Sequence, residues 1–288
     1  MSVSLSEAPN NAREFALGDK EFKRIQKLLK DRSGIDIGDG KRMLVYGRLA
    51  RRMRALRLSD FSDYLALIED PQSDESGKFL NALTTNVTEL FREDHHFDLL
   101  SSRVVPEMLS AGASKLRIWS AACSAGDEPY SIALTLSRTP ALAELDVRIL
   151  ATDIDTEILE QARRGIYAAE RIAKLKPEFR SSFQRGVGPN AANARISPEL
   201  RALVTFKQLN LLDTWPMSGP FDVIFCRNVF IYFDTPTRER IVRRFAALLR
   251  PGGYLFLGHS ESPSANSTPV LKNCGRTAFV KQAESAGA

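Results

Sequence analysis

Residues 116–155 constrain the chain more than any other stretch. Leu116-Arg117-Ile118-Trp119-Ser120 reads as a strand and runs into a turn of small residues, 121–126. A helix start follows at Asp127-Glu128-Pro129, and a second apolar run, 147–151, leads directly to Asp153. Strand, small turn, helix, strand and terminal acid make up the nucleoside-binding unit of a doubly wound sheet. Small side chains let the backbone approach a ligand, and a carboxylate at the second strand's tip can accept two ribose hydroxyls.

The turn also says what the ligand lacks. A pyrophosphate site wants Gly-x-Gly-x-x-Gly at a helix N-terminus, whereas this turn has only Gly126. Glu128 falls in the helix's first turn, where it complements the helix dipole but would repel a phosphate and suit an ammonium. No P-loop sequence occurs. These features point to a nucleoside without phosphates, with S-adenosylmethionine the obvious candidate. The bland alternative is an ordinary strand–turn–helix in which Glu128 serves the dipole alone.

Upstream, the periodicity is helical. Residues 1–17 read as a disordered leader, and 18–88 as an all-helical domain. Phe22, Ile25, Leu28 and Leu29 share one face of a first helix that Ser33-Gly34 stops. A second helix, 41–58, carries Val45, Leu49, Met53 and Leu56 as its stripe, and Ser59 caps a third that Asp70-Pro71 ends. A fourth spans about 75–83, and 89–110 forms a linker.

From 111 to 288 strand and helix alternate. Strands are expected at 116–120, 147–152, 203–208, 221–226 and 253–258. A final pair lies near 269–272 and 277–281, about a turn at Asn273-Cys274-Gly275. Helices are expected at 127–137, 156–164 and 235–249, the last closed by Arg250-Pro251-Gly252-Gly253. The fold class is therefore α/β: a doubly wound, mainly parallel sheet with an antiparallel edge. The stretch 165–203 is too long for a crossover loop and reads as an inserted β-subdomain, with short strands near 181–185 and 193–197.

At 288 residues, 43% hydrophobic and 26% charged, the composition is that of a soluble globular protein. Cys123, Cys226 and Cys274 are too few and too scattered for a disulfide framework, and no apolar run is long enough to span a bilayer. A cytoplasmic protein, not membrane-inserted, is expected. His95-His96 beside Asp94 invites a metal reading, but adjacent helical side chains diverge by about 100°, so no metal is expected. The net charge of +5 does not by itself demand nucleic acid.

Further runs complete the pattern: 81–88 with Thr84-Thr85-Asn86-Val87-Thr88, then Phe91-Arg92-Glu93-Asp94-His95-His96-Phe97, and 119–131. Thr152-Asp153-Ile154-Asp155, 221–233 with Cys226-Arg227-Asn228, and Gly258-His259-Ser260-Glu261 follow. On these runs, from about 17 to 281, the chain resembles the chemotaxis-receptor glutamate methyltransferases, the CheR family. The resemblance implies transfer of a methyl group from S-adenosylmethionine to receptor glutamates, forming methyl esters. It implies that Asn86, Thr88 and Arg92 reach over the cofactor from the linker. Glu128 would face its methionine end and Asp153 its ribose. Asn210 with Leu211 would lie by the adenine, and Arg227 and Asn228 beside the cofactor. Arg92 and Tyr232 would flank the transferring methyl. Departures are mild: Cys123 and Ala125 hold turn positions that need only be small, and Asp127 replaces a common Glu.

Partners follow from charge and from the resemblance. The helix bearing Lys41, Arg42, Arg48, Arg51, Arg52, Arg54 and Arg57 has no acid. A solvated face usually mixes signs, so a positive strip suits an acidic surface such as glutamate-rich receptor helices, and nucleic acid would suit it too. The β-subdomain is implied to dock a receptor C-terminal peptide as an added strand, with Gly186 and Gly188 turning beside the edge. A monomer is expected. Two other readings stand beside this one: a nucleic-acid methyltransferase, and a non-catalytic receptor-binding module. The run Asn228-Val229-Phe230-Ile231-Tyr232 lacks the proline pair common where an amino group on a base is methylated, so no nucleic-acid partner is expected.

Overall fold

The computed structural model describes residues 14–263 and 269–283. Four helices form the N-terminal unit: α1 (Asp19–Ser33), α2 (Arg42–Leu56), α3 (Phe61–Glu69) and α4 (Glu75–Leu83). Their core is Phe22, Ile25, Leu29, Val45, Leu49, Met53, Phe61, Tyr64, Leu65, Ile68 and Phe79, the stripes the periodicity predicts. Gly34 ends α1 at φ 75°, a left-handed cap that glycine adopts without penalty. Two local readings change. Asp60 rather than Ser59 caps α3, accepting from the Ser62 amide. Phe15 and Leu17 are buried in this core, so the leader read as 1–17 is packed by residue 15; residues 1–13 of it lie outside the described residues.

The linker carries α5 (His95–Leu99), which runs through a π-turn into α6 (Val105–Ser110). The second unit then alternates: β1 (Lys115–Ala121), α7 (Asp127–Leu136), α8 (Ala141–Glu144), β2 (Asp146–Asp153) and α9 (Thr156–Arg164). The insertion follows as β3 (Ile166–Ala168), α10 (Ala169–Ala173), α11 (Pro177–Arg180), β4 (Phe183–Arg185), β5 (Asn193–Ile196) and α12 (Pro198–Ala202). The chain returns through β6 (Val204–Gln208), β7 (Phe221–Cys226), α13 (Thr235–Leu248) and β8 (Leu249–Leu257), and closes with β9 (Leu271–Gly275) and β10 (Ala278–Lys281).

The sheet order is β6-β2-β1-β7-β8-β10-β9, parallel through β8 with β10 antiparallel to it. Alternation along the central strands feeds two cores. Ile118, Val223, Phe225 and Phe256 face one layer of helices, and Trp119, Ile224, Leu255 and Leu257 face the other. The insertion is a separate three-stranded antiparallel sheet, β3-β5-β4. Its first strand had no sequence signal, being only Ile-Tyr-Ala between a capping glycine and a helix. The expected turn at 273–275 is the end of β9, and the chain reverses at 276–277 instead. Arg250 to Gly253, expected to close α13, already belong to β8.

The strand order reverses between β1 and β7, so the carboxyl ends of these strands open a crevice. The helical unit roofs it. The Asp36 amide donates to the Tyr232 carbonyl at 2.8 Å, and Asn210 Nδ2 to the Arg32 carbonyl at 2.7 Å. Gly34 packs against Leu212 and Phe233.

Candidate active site

At that crevice lies a cleft of about 540 Å³, within the range of small-molecule sites. The strand tips build its floor. The β1 turn contributes Ala122, Cys123 and Ser124, and the tip of β2 contributes Asp153 and Ile154. Leu209, Asn210 and Leu211 follow β6, and 227–229 follow β7. Ala122, Ser124 and Asn228 line it at φ 61°, 50° and 57°, conformations that side chains adopt at a cost and that cluster at functional turns. Gly126 starts α7 at φ 87°, where a Cβ would stand 3.0 Å from that of Ala162; the turn and α9 can close only on a glycine.

Each residue that the resemblance assigns to the cofactor or the methyl lines this cleft: Asn86, Thr88, Arg92, Glu128, Asp153, Asn210, Leu211, Arg227, Asn228 and Tyr232. Their present partners differ. Asp153 is buried; its oxygens accept from the Ser124 amide at 2.8 Å and the Asp155 amide at 3.0 Å. Burial raises its pKa to about 6, against those two amides. Each oxygen keeps a lone pair for a further donor. Asn86 donates to Asp155 Oδ2 at 2.7 Å, so its amide holds the linker down. Asn210 is engaged at both ends, donating to Arg32 and accepting from the Leu212 amide. What it offers the cleft is surface rather than a free amide.

Arg227 is the electrostatic centre of the floor. It is 7% exposed and reaches Glu128 Oε2 at 3.2 Å and Glu93 Oε2 at 3.4 Å. It also donates to the Arg92 carbonyl. Ser120 Oγ donates to the other Glu128 oxygen at 2.7 Å. Burial pushes the Glu128 carboxyl up against the pull of Arg227. Glu93 is held below its ordinary value: burial opposes, but Arg227 and the Asn228 amide outweigh it. One guanidinium thus ties the linker, α7 and the tip of β7 together.

Three positioning carboxylates carried no assigned role in the sequence reading. Glu93 is one. Asp155 caps α9 through the Glu157 and Ile158 amides and also receives Thr84 Oγ1 and Asn86 Nδ2. Asp155 before Thr156-Glu157 is itself an N-cap signal that could have found it. Glu261 accepts the Gly258, Asn228 and Phe230 amides at 2.7 to 3.0 Å; the last two lie thirty-odd positions away, contacts that no local pattern announces. A Cβ on Gly258 would stand 2.6 Å from Asn228 Nδ2 and 2.8 Å from Glu261 Oε2.

The charge reading of α2 is corrected in part. Arg52 forms a bidentate pair with Glu75, which is 3% exposed. Arg48 donates to the Leu83 and Thr84 carbonyls at the end of α4, groups a helix leaves unsatisfied. Arg54 pairs with Glu14. Lys41 and Arg51 remain exposed. The histidine geometry also differs from the divergence expected. His95 and His96 rings lie 4.2 Å apart, and with Glu93 they bring one ligand atom each to within 4.8 Å of one another. The Arg227 guanidinium, 3.4 Å from Glu93 Oε2, opposes a second cation there.

The comparisons with known proteins agree with this architecture. The all-alpha domain of CheR methyltransferases matches residues 20–84, and their SAM-binding domain matches 86–280. A chemotaxis protein methyltransferase of Klebsiella aerogenes is 49% identical over 254 residues, 87% of this chain and 86% of that protein. One from Escherichia coli is 49% identical over 250 residues, covering 86% of each. Chemotaxis protein methyltransferase 2 of Pseudomonas aeruginosa is 45% identical over 271 residues, 92% of this chain and 94% of its own. No helix among the described residues is long and apolar enough to cross a membrane.

Proposed function

Since the chain belongs to the CheR methyltransferase family and is an S-adenosylmethionine-dependent methyltransferase of chemotaxis, we propose that its methyl acceptors are glutamate side chains of chemoreceptors and that its product is a glutamate methyl ester. The observation carrying this reading is the cleft itself. It joins a buried carboxylate with spare lone pairs, Asp153, to an apolar wall of Ile154, Leu209, Leu211, Val229 and Phe233. Across it stand Arg92 and Tyr232.

When bound, S-adenosylmethionine supplies an electrophilic methyl on a sulfonium. Asp153 accepts the ribose hydroxyls, and the small turn 122–124 lets the backbone come close. Glu128, kept at the floor by Ser120 and Arg227, faces the ammonium of the methionine end. A glutamate acceptor is ionised at neutral pH, its unperturbed pKa being about 4.3, so no general base is needed. The chain's task is to orient the acceptor and exclude water. Arg92 holds one carboxylate oxygen while the other attacks, and Tyr232 donates beside it.

The receptor approaches over the roof, near Lys41 and Arg51. Its C-terminal peptide adds to an edge of the β3-β5-β4 sheet, where Val187 is exposed beyond β4. The test is to incubate the full chain with methyl-labelled S-adenosylmethionine and receptor cytoplasmic fragments. Alkali-labile label on glutamate is the expected result. Alkali-stable label, or none, would overturn the glutamate assignment.

A further inference from the structure

Six large apolar side chains are prominently exposed among the described residues: Met43, Leu44, Val87, Ile166, Val187 and Ile231. Exposure of single apolar residues is ordinary; their gathering is not. Leu44, Val87 and Ile231 line the one cleft, although they come from α2, the linker and the short helical turn 230–232. They are 42%, 78% and 63% exposed. Met43, 58% exposed, adjoins Leu44 on the roof. None of them belongs to the hydrophobic cores of the described residues.

The same surface is poorer in free cations than α2's sequence suggests. Arg48 and Arg52 are turned to α4 and Glu75, and Arg54 to Glu14. Lys41 and Arg92 line the cleft with the apolar three, as do the exposed acids Asp36 and Glu89. A glutamate side chain is short, so the peptide bearing the acceptor must lie against this mouth when its carboxylate reaches Arg92. If that peptide is helical, its neighbours one turn away share the acceptor's face and meet the mouth.

We propose that Leu44, Val87 and Ile231 form an apolar collar that receives the receptor helix around its target glutamate, selecting glutamates with apolar side chains one turn away. The occupant follows from the mouth's chemistry: Arg92 for one carboxylate, apolar surface for its neighbours, and the acids Asp36 and Glu89 that turn away further carboxylates. Docking is then hydrophobic at the mouth, with Lys41 and Arg51 contributing only outer steering. This rests on the glutamate reading above.

The experiment measures methylation of a receptor cytoplasmic fragment by the full chain, with Leu44→Asp, Val87→Asp and the conservative Val87→Ile beside wild type. Each aspartate variant is expected to raise KM for the fragment by about tenfold, with Val87→Ile near wild type and kcat within about twofold. Calorimetric affinity for S-adenosylhomocysteine, unchanged within about twofold, shows that each variant is folded. High salt should leave the wild-type KM nearly flat, since apolar contacts are not screened. Unchanged KM in both aspartate variants, or a wild-type KM that climbs steeply with salt, would overturn the collar. Absence of any ester in wild type is a separate result, visible before a variant is made, and sinks the glutamate reading instead.

Discussion

The floor and the roof of the cleft use arginine in opposite ways. On the floor, Arg227 is sealed between two carboxylates and a carbonyl, and every contact it makes links segments that define the site. On the roof, α2 carries arginines along its length, yet Arg48 and Arg52 face back into the helical unit, one to helix-end carbonyls and one to a buried acid. Charge that looks like a docking strip in the sequence is largely consumed by what the adjacent helix left unpaired. The difference teaches that a cation's destination is set by the nearest unsatisfied acceptor rather than by the helix face it occupies. Lys41, Arg51, Arg54 and Arg57 remain exposed beside Met43 and Leu44.

The largest effect should come from the floor. Arg227→Met leaves Glu93 and Glu128 without their shared counter-ion, and losing one partner of a buried pair costs roughly 3–5 kcal/mol. Urea unfolding of the two proteins measures it. A loss below about 1 kcal/mol would mean that the floor is as well solvated as a surface pair, and the contrast would dissolve. The roof gives a smaller effect with an internal control. Arg52→Ala should cost about 2 kcal/mol, because Glu75 stays buried without its partner. Arg51→Ala, exposed one position away, should stay within about 0.5 kcal/mol. Equal costs would restore the uniform basic strip.

The smallest effect is a pH dependence. On the proposed reading Asp153 must be ionised to accept the ribose hydroxyls, and burial raises its pKa to about 6. Affinity for S-adenosylhomocysteine should therefore be full above that value and fall as pH drops through it, to about tenfold weaker at pH 5 than at pH 7. Asp153→Ala should bind weakly with a flat profile over that range. A wild-type profile equally flat would remove Asp153 from the ribose.

The cleft's membership was legible in the sequence because its residues sit at strand ends and turns, where 116–155 and 221–233 display them in order. The alternation of apolar runs likewise announced the sheet and its antiparallel edge. What the sequence concealed was pairing at a distance. Glu261 gathers two amides, those of Asn228 and Phe230, from the far side of a helix, and Glu75 on α4 claims Arg52 on α2; neither leaves a periodic trace. β3 was missed for another reason. Three residues carry too little alternation to be read, and its pairing with β5 supplies the order that its own sequence does not. The α2 strip was misread because helical periodicity locates a side chain on a face without saying what packs there.

Asp153 and Asp155 stand two residues apart at the end of β2. Through one peptide N–H, the carboxylate that faces the cleft is bonded to the residue whose own carboxylate grips Thr84 and Asn86. The seam between the two units is thus stitched to the ligand's seat. Strain introduced at either place is felt at the other, so a graft that exchanges the helical unit for another must bring its own Thr84 and Asn86 or reshape the pocket it was meant only to cover.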